Sequence, residues 1–259
     1  MPNDPAEPEL LLSLRSFCHR YGAINEIAQR AQREIDRYAA TGFSVFNLFK
    51  YDEMTLSKII AELLSPVGAH GQGTLFLELF IRRANDILLP ENQLDTAPLE
   101  KANVWTEVLT SHIERSQRRL DILVSNPPHW VLGIENKPWA WEQDKQLEDY
   151  QEELDRRYGE QTQRRYIVFI SGYCSKPVTA AKGRKPLYFG YSLNEQRCGN
   201  DHAHLVDWLA ECAEKCQADM VRHFLLDFAR WARGEFVNQV NSLQPDGETT
   251  GEGHELNGD

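Results

Sequence analysis

The spacing of apolar and polar residues changes character along this chain. From Glu9 to about Ala40, Leu10, Leu14, Phe17 and Tyr21, then Ile24, Ile27, Ala31 and Ile35, recur at helical spacing and predict a mainly helical segment. Tyr51 to Leu64 and Thr74 to Leu88 predict two further helices, separated by a Gly-rich loop from Pro66 to Gly73. In the first of them Leu56, Ile59, Ile60, Leu63 and Leu64 form the face to be buried. After Asn103 the period shortens towards two. Val104 to Val108, Leu120 to Val124, Trp130 to Glu135 and Tyr166 to Ile170 predict the strands of a central sheet, with Leu187 to Tyr191 as a further edge strand. Trp141 to Tyr158 returns to helical spacing through Leu147, Tyr150, Gln151 and Leu154. A helix between two strands implies parallel pairing with a right-handed crossover. His202 to Gly234 predicts two more helices, and the Gly-, Glu- and Thr-rich Gln244 to Asp259 a disordered tail.

The strands at Leu120 and Trp130 read as a hairpin, because Ser125-Asn-Pro-Pro128 between them supplies turn residues. Side chains alternate faces along a strand, so Glu135 and Lys137 share one face while Leu132 and Ile134 share the other. Ile122 and Val124 must join Leu132 and Ile134, since a slip of one residue would bury Asp121 in their place. The permitted registers set Asp121 beside Glu135 and Lys137. Two carboxylates held together repel unless a cation or a shared proton compensates them. Magnesium prefers oxygen ligands and keeps several waters, so two carboxylates, a backbone carbonyl and a substrate phosphate make a sufficient site. Lys137 would orient or help deprotonate an attacking water and offset charge developing on a phosphoryl transition state. Taken alone the pattern is short, and a Glu-x-Lys at a strand end also suits an ordinary exposed position.

Downstream residues narrow the reading. Gln146 and Tyr150 are four apart on the helix that follows, and therefore lie on one face. Asp121, Gly133-Ile-Glu135-Asn-Lys137 and Gln146-Leu-Glu-Asp-Tyr150 resemble the D…GxExK…QxxxY series of the PD-(D/E)XK nuclease superfamily, in its RecB-like branch. The stretch from Asp52-Glu53 to Ser65-Pro66, followed by His70-Gly-Gln-Gly73, is similar to the N-terminal segment of a bacterial group in that superfamily. The resemblance covers roughly residues 45 to 170 and names nothing beyond. It implies an α/β restriction-endonuclease-like core, a central mixed sheet flanked by helices, with N- and C-terminal helical additions. It also implies that Asp121 and Glu135 are metal ligands together with the Ile134 carbonyl, and that Lys137 is the catalytic lysine. Gln146 and Tyr150 would line the phosphate side, with Glu53 as an accessory acid on a helix packed against the catalytic sheet. Arg119 and His70 are further candidates on the substrate side. Leu120 stands where the superfamily's name has proline, a change this branch tolerates. Glu53 equally suits the first turn of its own helix, where an acid complements the dipole. Tyr150 would also serve as a core-edge aromatic, and Gln146 as a solvated helix residue.

Composition sets outer limits. A chain of 259 residues suffices for one cored α/β domain, expected over 1–242 with a catalytic core near 45–191 and an acidic tail at 243–259. No apolar run approaches the ~20 residues of a membrane span, and the N-terminus is neither basic nor hydrophobic in the manner of a signal peptide. Five cysteines at irregular spacing fit reduced thiols, and a cytoplasmic protein is expected. Cys198, His202, His204, Cys212 and Cys216 match no common zinc module.

The net charge of -11 looks unfavourable for a phosphate-binding protein, but five of those charges fall in residues 243–259 and three in residues 1–9. Arginines 115, 118 and 119, then 156, 157, 164 and 165, and the group Lys176, Lys182, Arg184 and Lys185, supply local basic clusters for a phosphate backbone. The expected activity is a magnesium-dependent nuclease, manganese substituting, acting on nucleic acid and in the first instance DNA. Double-strand cutters often pair two active sites, so a homodimer is one expected form. Antiviral defence or restriction of mobile elements, with a partner protein, is the biological setting to test. The competing class is a regulatory or nucleic-acid-binding module that keeps the nuclease fold without turnover.

Overall fold

The computed structural model describes residues 6–40, 42–96, 98–110, 118–162, 164–172, 185–191 and 203–238. The acidic tail, Cys198, His202, Arg115, Lys176, Lys182 and Arg184 lie outside them. The chain divides into two compact units, Met1–Leu48 and Phe49–Asp259. The first is dominated by a single unbroken helix, α1 (Ala6–Ala39), followed by a short 3-10 turn at Val45–Asn47.

The second unit is built on a six-stranded sheet in the order β1 (Asn103–Leu109), β2 (Arg119–Asn126), β3 (Trp130–Lys137), β4 (Arg164–Ser171), β5 (Leu187–Gly190) and β6 (Ala203–His204). β1, β2 and β3 pair antiparallel, and β3 to β6 pair parallel, so the sheet is mixed. β5 is therefore not the edge; the two-residue β6 covers it, a strand too short for periodicity to reveal. In the hairpin, Ile122 stands opposite Ile134 and Val124 opposite Leu132, the register that core burial demands. The turn between these strands contains a cis peptide bond at Pro127-Pro128.

Every residue of β3 is buried, because helices cover both faces of the parallel part of the sheet. On one face α4 (Gln146–Tyr158) sets Leu147, Tyr150 and Leu154 against Leu123, Val131, Ile167 and Phe169. A side chain at Gly133 would come within 2.8 Å of Ile167 and 2.9 Å of Leu120, so the bare backbone there lets α4 lie close. The other face carries α2 (Glu53–Leu64), α3 (Leu75–Ile87) and α5 (Leu205–Lys215). There Phe80 of α3 stacks on Phe189 at 4.8 Å and meets Trp208 of α5 edge-on at 5.4 Å. The last helix, α6 (Asp219–Asn238), sets Phe236 against Tyr191 at 4.4 Å.

The helix expected from Trp141 starts only at Gln146. Lys145 adopts a left-handed conformation (φ 55°) just before it, and the preceding residues form a loop. Apolar spacing does not mark that boundary, since the buried apolar residues of the helix begin only at Leu147 and say nothing of where the turn before them ends. α2 starts two residues later than Tyr51, at the point where the Asp52 carboxylate caps the Thr55 amide at 2.7 Å.

Candidate metal centre

The C-terminal end of β3 carries the chemistry. Glu135 and Lys137 point to the α4 face, and Asp121 joins them from β2 one step beyond the Ile122–Ile134 pair. Glu53 reaches the same place from the first turn of α2. Glu53, Asp121 and Glu135 offer carboxylate oxygens that all lie within 4.8 Å of one another. Glu135 and Asp121 are buried, while Glu53 is half-buried and opens the cluster to solvent.

The carboxylates are anchored by specific donors. Lys137 Nζ donates to Glu135 Oε1 at 2.7 Å and to Glu53 Oε1 at 2.6 Å. Gln146 Nε2 donates to the same Glu135 Oε1 at 2.6 Å and lies 3.2 Å from the Tyr150 hydroxyl, which in turn donates to the Arg119 carbonyl at 2.6 Å. The Gln143 amide holds the Gln146 carboxamide oxygen at 3.3 Å and so fixes which end of the amide faces Glu135. Asp121 Oδ2 accepts the Asn136 amide at 2.7 Å. Both donors to Glu135 converge on one oxygen. Its other oxygen, Oε2, is buried with no hydrogen-bond partner among the described residues, which is costly for a carboxylate unless a cation supplies the missing contact.

Electrostatics tell the same story. Burial pushes the Asp121 carboxyl up to about 7, the Asn136 amide opposing and Glu53 adding to the shift. Burial and the neighbouring Asp121 push Glu135 up to about 8 against the pull of Lys137. Burial acts to lower Lys137, but the attraction and hydrogen bonds of Glu135 and Glu53 override it and hold the ammonium above its ordinary range. Burial and the Glu135 charge raise Tyr150, so it stays a neutral hydroxyl. The cluster thus holds more negative charge than its one lysine offsets, in an enclosed place, and the donor set is hard oxygen. Those are the properties of a site for a hard divalent cation, and the residues fit such an ion.

The opposite face of the same strand end is a neutral network. Asn136 donates from Nδ2 to Ser57 Oγ at 3.0 Å and accepts from the Tyr191 hydroxyl at 2.7 Å. Ser57 donates in turn to the Glu53 carbonyl at 2.8 Å. The sequence reading passes over Asn136, Ser57 and Tyr191. Strand alternation would have placed Asn136 on the far face from Glu135, but nothing in the spacing supplies its partners. Glu107 is a further acid felt by Asp121, and it lies 3.5 Å from the exposed Arg119.

Two expected residues sit differently. Ile134 is in the ladder opposite Ile122, on the strand edge that faces β2, so its carbonyl is engaged in pairing. The Asn136 amide points to that same edge, beyond the last paired residues, and in an extended strand its carbonyl points the same way. His70 uses both ring nitrogens within its own loop, Nε2 on the Ser65 carbonyl at 2.9 Å and Nδ1 accepting the Gln72 amide at 3.0 Å, with its ring 4.7 Å from that of Phe76. It fastens the loop between α2 and α3.

Comparison with known proteins gives one match. Residues 42–230 match a family described as the PD-(D/E)XK nuclease superfamily, and the match runs well past Ile170 to take in Tyr191, α5 and part of α6. Neither a curated protein nor a solved structure matches the chain.

Proposed function

The chain belongs to the PD-(D/E)XK nuclease superfamily, its mixed sheet and flanking helices forming a restriction-endonuclease-like core, and on that premise we propose that it hydrolyses phosphodiester bonds in DNA with the aid of magnesium. The observation that carries the reading is the buried, unpartnered Oε2 of Glu135 beside Asp121 and Glu53. Asp121 and Glu135 would hold the ion, with the Asn136 carbonyl beside them. A bound divalent ion, magnesium or manganese, supplies Lewis acidity that polarises the phosphate and lowers the pKa of a water ligand.

The protein's own residues set the rest of the reaction. Lys137 spends two of its three N–H donors on Glu135 and Glu53, which aims the third at the position of an attacking water or a phosphate oxygen. Glu53, half open to solvent, stands where it can accept a proton from that water. Gln146 keeps Glu135 Oε1 occupied and would leave Oε2 for an ion, and Tyr150 holds Gln146 and the β2 backbone in place. Arg119 stands two residues before Asp121 on β2, and its exposed guanidinium is a contact for the DNA backbone.

Cleavage of plasmid and of DNA and RNA oligonucleotides with magnesium or manganese, comparing wild type with Glu135→Ala and Lys137→Ala, tests the assignment. Equal activity in all three proteins would sink it. The alternative is a module that binds nucleic acid without turnover. Calorimetric titration with magnesium separates the two, because ion binding abolished by Asp121→Asn supports catalysis and absent binding supports the silent module. We place the enzyme in the cytoplasm, in defence against phage or mobile elements with a partner protein; plating efficiency of phage on cells carrying wild type or Glu135→Ala tests that setting. Among the described residues no helix is long and apolar enough to cross a membrane.

A further inference from the structure

The first unit of the chain holds a long helix with an exposed apolar seam. From Leu14 to Tyr38 the apolar residues of α1 advance by alternating steps of three and four, a strict seven-residue repeat. A repeat of that period matches another supercoiled helix better than a globular surface, which a 3.6-residue period would follow. The seam is open: Phe17 is 60%, Tyr21 63% and Ile24 66% exposed. With Leu11, Leu14, Ile27, Ile35 and Tyr38, all at least half exposed, eight large side chains would bury about 100 Å² each, or about 800 Å² per copy, which is what a stable interface needs from each partner.

The sequence of the seam selects its partner and direction. We propose that α1 pairs antiparallel with α1 of a second copy of this chain, about a two-fold axis near Glu26. In that register Tyr21 meets the partner's Ala31 and Ile24 meets the partner's Ala28, so each small residue faces a large one. Leu14 meets the partner's Tyr38, and Phe17 the partner's Ile35. Beside the seam Arg20 faces the partner's Glu34 twice by symmetry, Ile27 faces its own copy, and Asn25 faces its own copy across the axis. Glu34 is available for this, since its ion pair within the helix, to Arg37 at 3.5 Å, leaves both side chains about two-thirds exposed. A parallel, in-register pair would instead set Ala28 on Ala28 and Ala31 on Ala31, opening a void in neighbouring layers, and would pair Arg20 with Asn25. The antiparallel dimer is closed, fills its core and satisfies its charges.

Sedimentation equilibrium of the full chain tests this. The wild type is expected to be a dimer at low micromolar concentration. Ile24→Glu is expected to be monomeric with an unchanged melting temperature for the second unit, because the site of substitution is exposed in the single chain. Arg20→Glu should weaken the dimer about tenfold, and Arg20→Glu with Glu34→Arg should restore it. A monomeric wild type, a dimer indifferent to Ile24→Glu, or a charge swap that fails to rescue Arg20→Glu would each overturn the proposal. These readings use no nuclease activity, so they stand or fall apart from the proposed function.

Discussion

The last residues of β3 show two solutions to burying polar groups, one on each side of the same strand. On the far side, Asn136, Ser57 and Tyr191 form a neutral chain in which each group has found a partner. On the near side, Glu135, Asp121 and Glu53 crowd around one lysine, and Glu135 keeps a buried oxygen with none. A neutral network with every bond made stabilises and fixes geometry. An excess of buried carboxylate destabilises the isolated fold and is tolerable where a cation completes it. The far side therefore reads as the support and the near side as the working surface. The backbone between them is what couples the two, since Asn136, whose side chain carries the neutral network, donates its backbone N–H to Asp121.

This contrast can be broken from either side. The largest expected effect is on activity: Glu135→Gln should lose about a thousandfold in cleavage rate, at the upper end of what one electrostatic group supplies. Thermal unfolding of that variant without metal should match or exceed wild type, because a buried acid has been made neutral. A melting temperature falling with the rate would mean that Glu135 serves the fold instead. Asn136→Ala should do the reverse in kind. It leaves Ser57 and Tyr191 without their buried partner and should cost about 3 kcal/mol in denaturant unfolding. Loss of activity beyond the fraction unfolded would then measure how far the Asn136 backbone positions Asp121.

Proton and metal compete for the near side, and the sign follows from the shifts. Asp121 at about 7 and Glu135 at about 8 titrate above their unfolded values, so the folded protein holds protons that the unfolded chain has released. The contribution of these two groups to stability without metal is full below about pH 4 and is lost as pH rises through the folded values. Saturating magnesium should restore about 2 to 3 kcal/mol at pH 8, seen as a rise of roughly 5–10 °C in melting temperature, and much less at pH 6. Differential scanning calorimetry at the two pH values checks this, and an equal rise at both would point to an ion bound elsewhere. The smallest effect belongs to Tyr150→Phe. It removes one anchor from Gln146 while leaving the Gln143 contact, so a several-fold fall in cleavage rate with little change in stability is expected in steady-state assays.

Much of the near side was legible before any fold was known. A one-residue slip of the hairpin would have exchanged Asp121 for Ile122, and the observed pairing of Ile122 with Ile134 is the one that core burial required. Helical spacing set Gln146 and Tyr150 on one face and the family resemblance named them for the site; Gln146 donates to Glu135, and Tyr150 lies against Gln146. The start of α4 was misplaced, because a left-handed residue at Lys145 leaves no trace in the apolar period. His70 looked like a loop residue free to act, and only its contacts with Ser65, Gln72 and Phe76 show it holding its own loop.

The sequence by itself determined the periods of the elements, the hairpin register and the cluster of Asp121, Glu135 and Lys137, since these depend on alternation and burial between neighbours in the chain. Only the tertiary structure decided which contacts hold that cluster. Glu53 and Ser57 arrive from α2, Tyr191 from the end of the sheet's fifth strand, and Phe236 from the last helix behind it. Contacts between residues so far apart in the chain carry no periodic signal, because they depend on how whole helices pack and not on the step from one residue to the next.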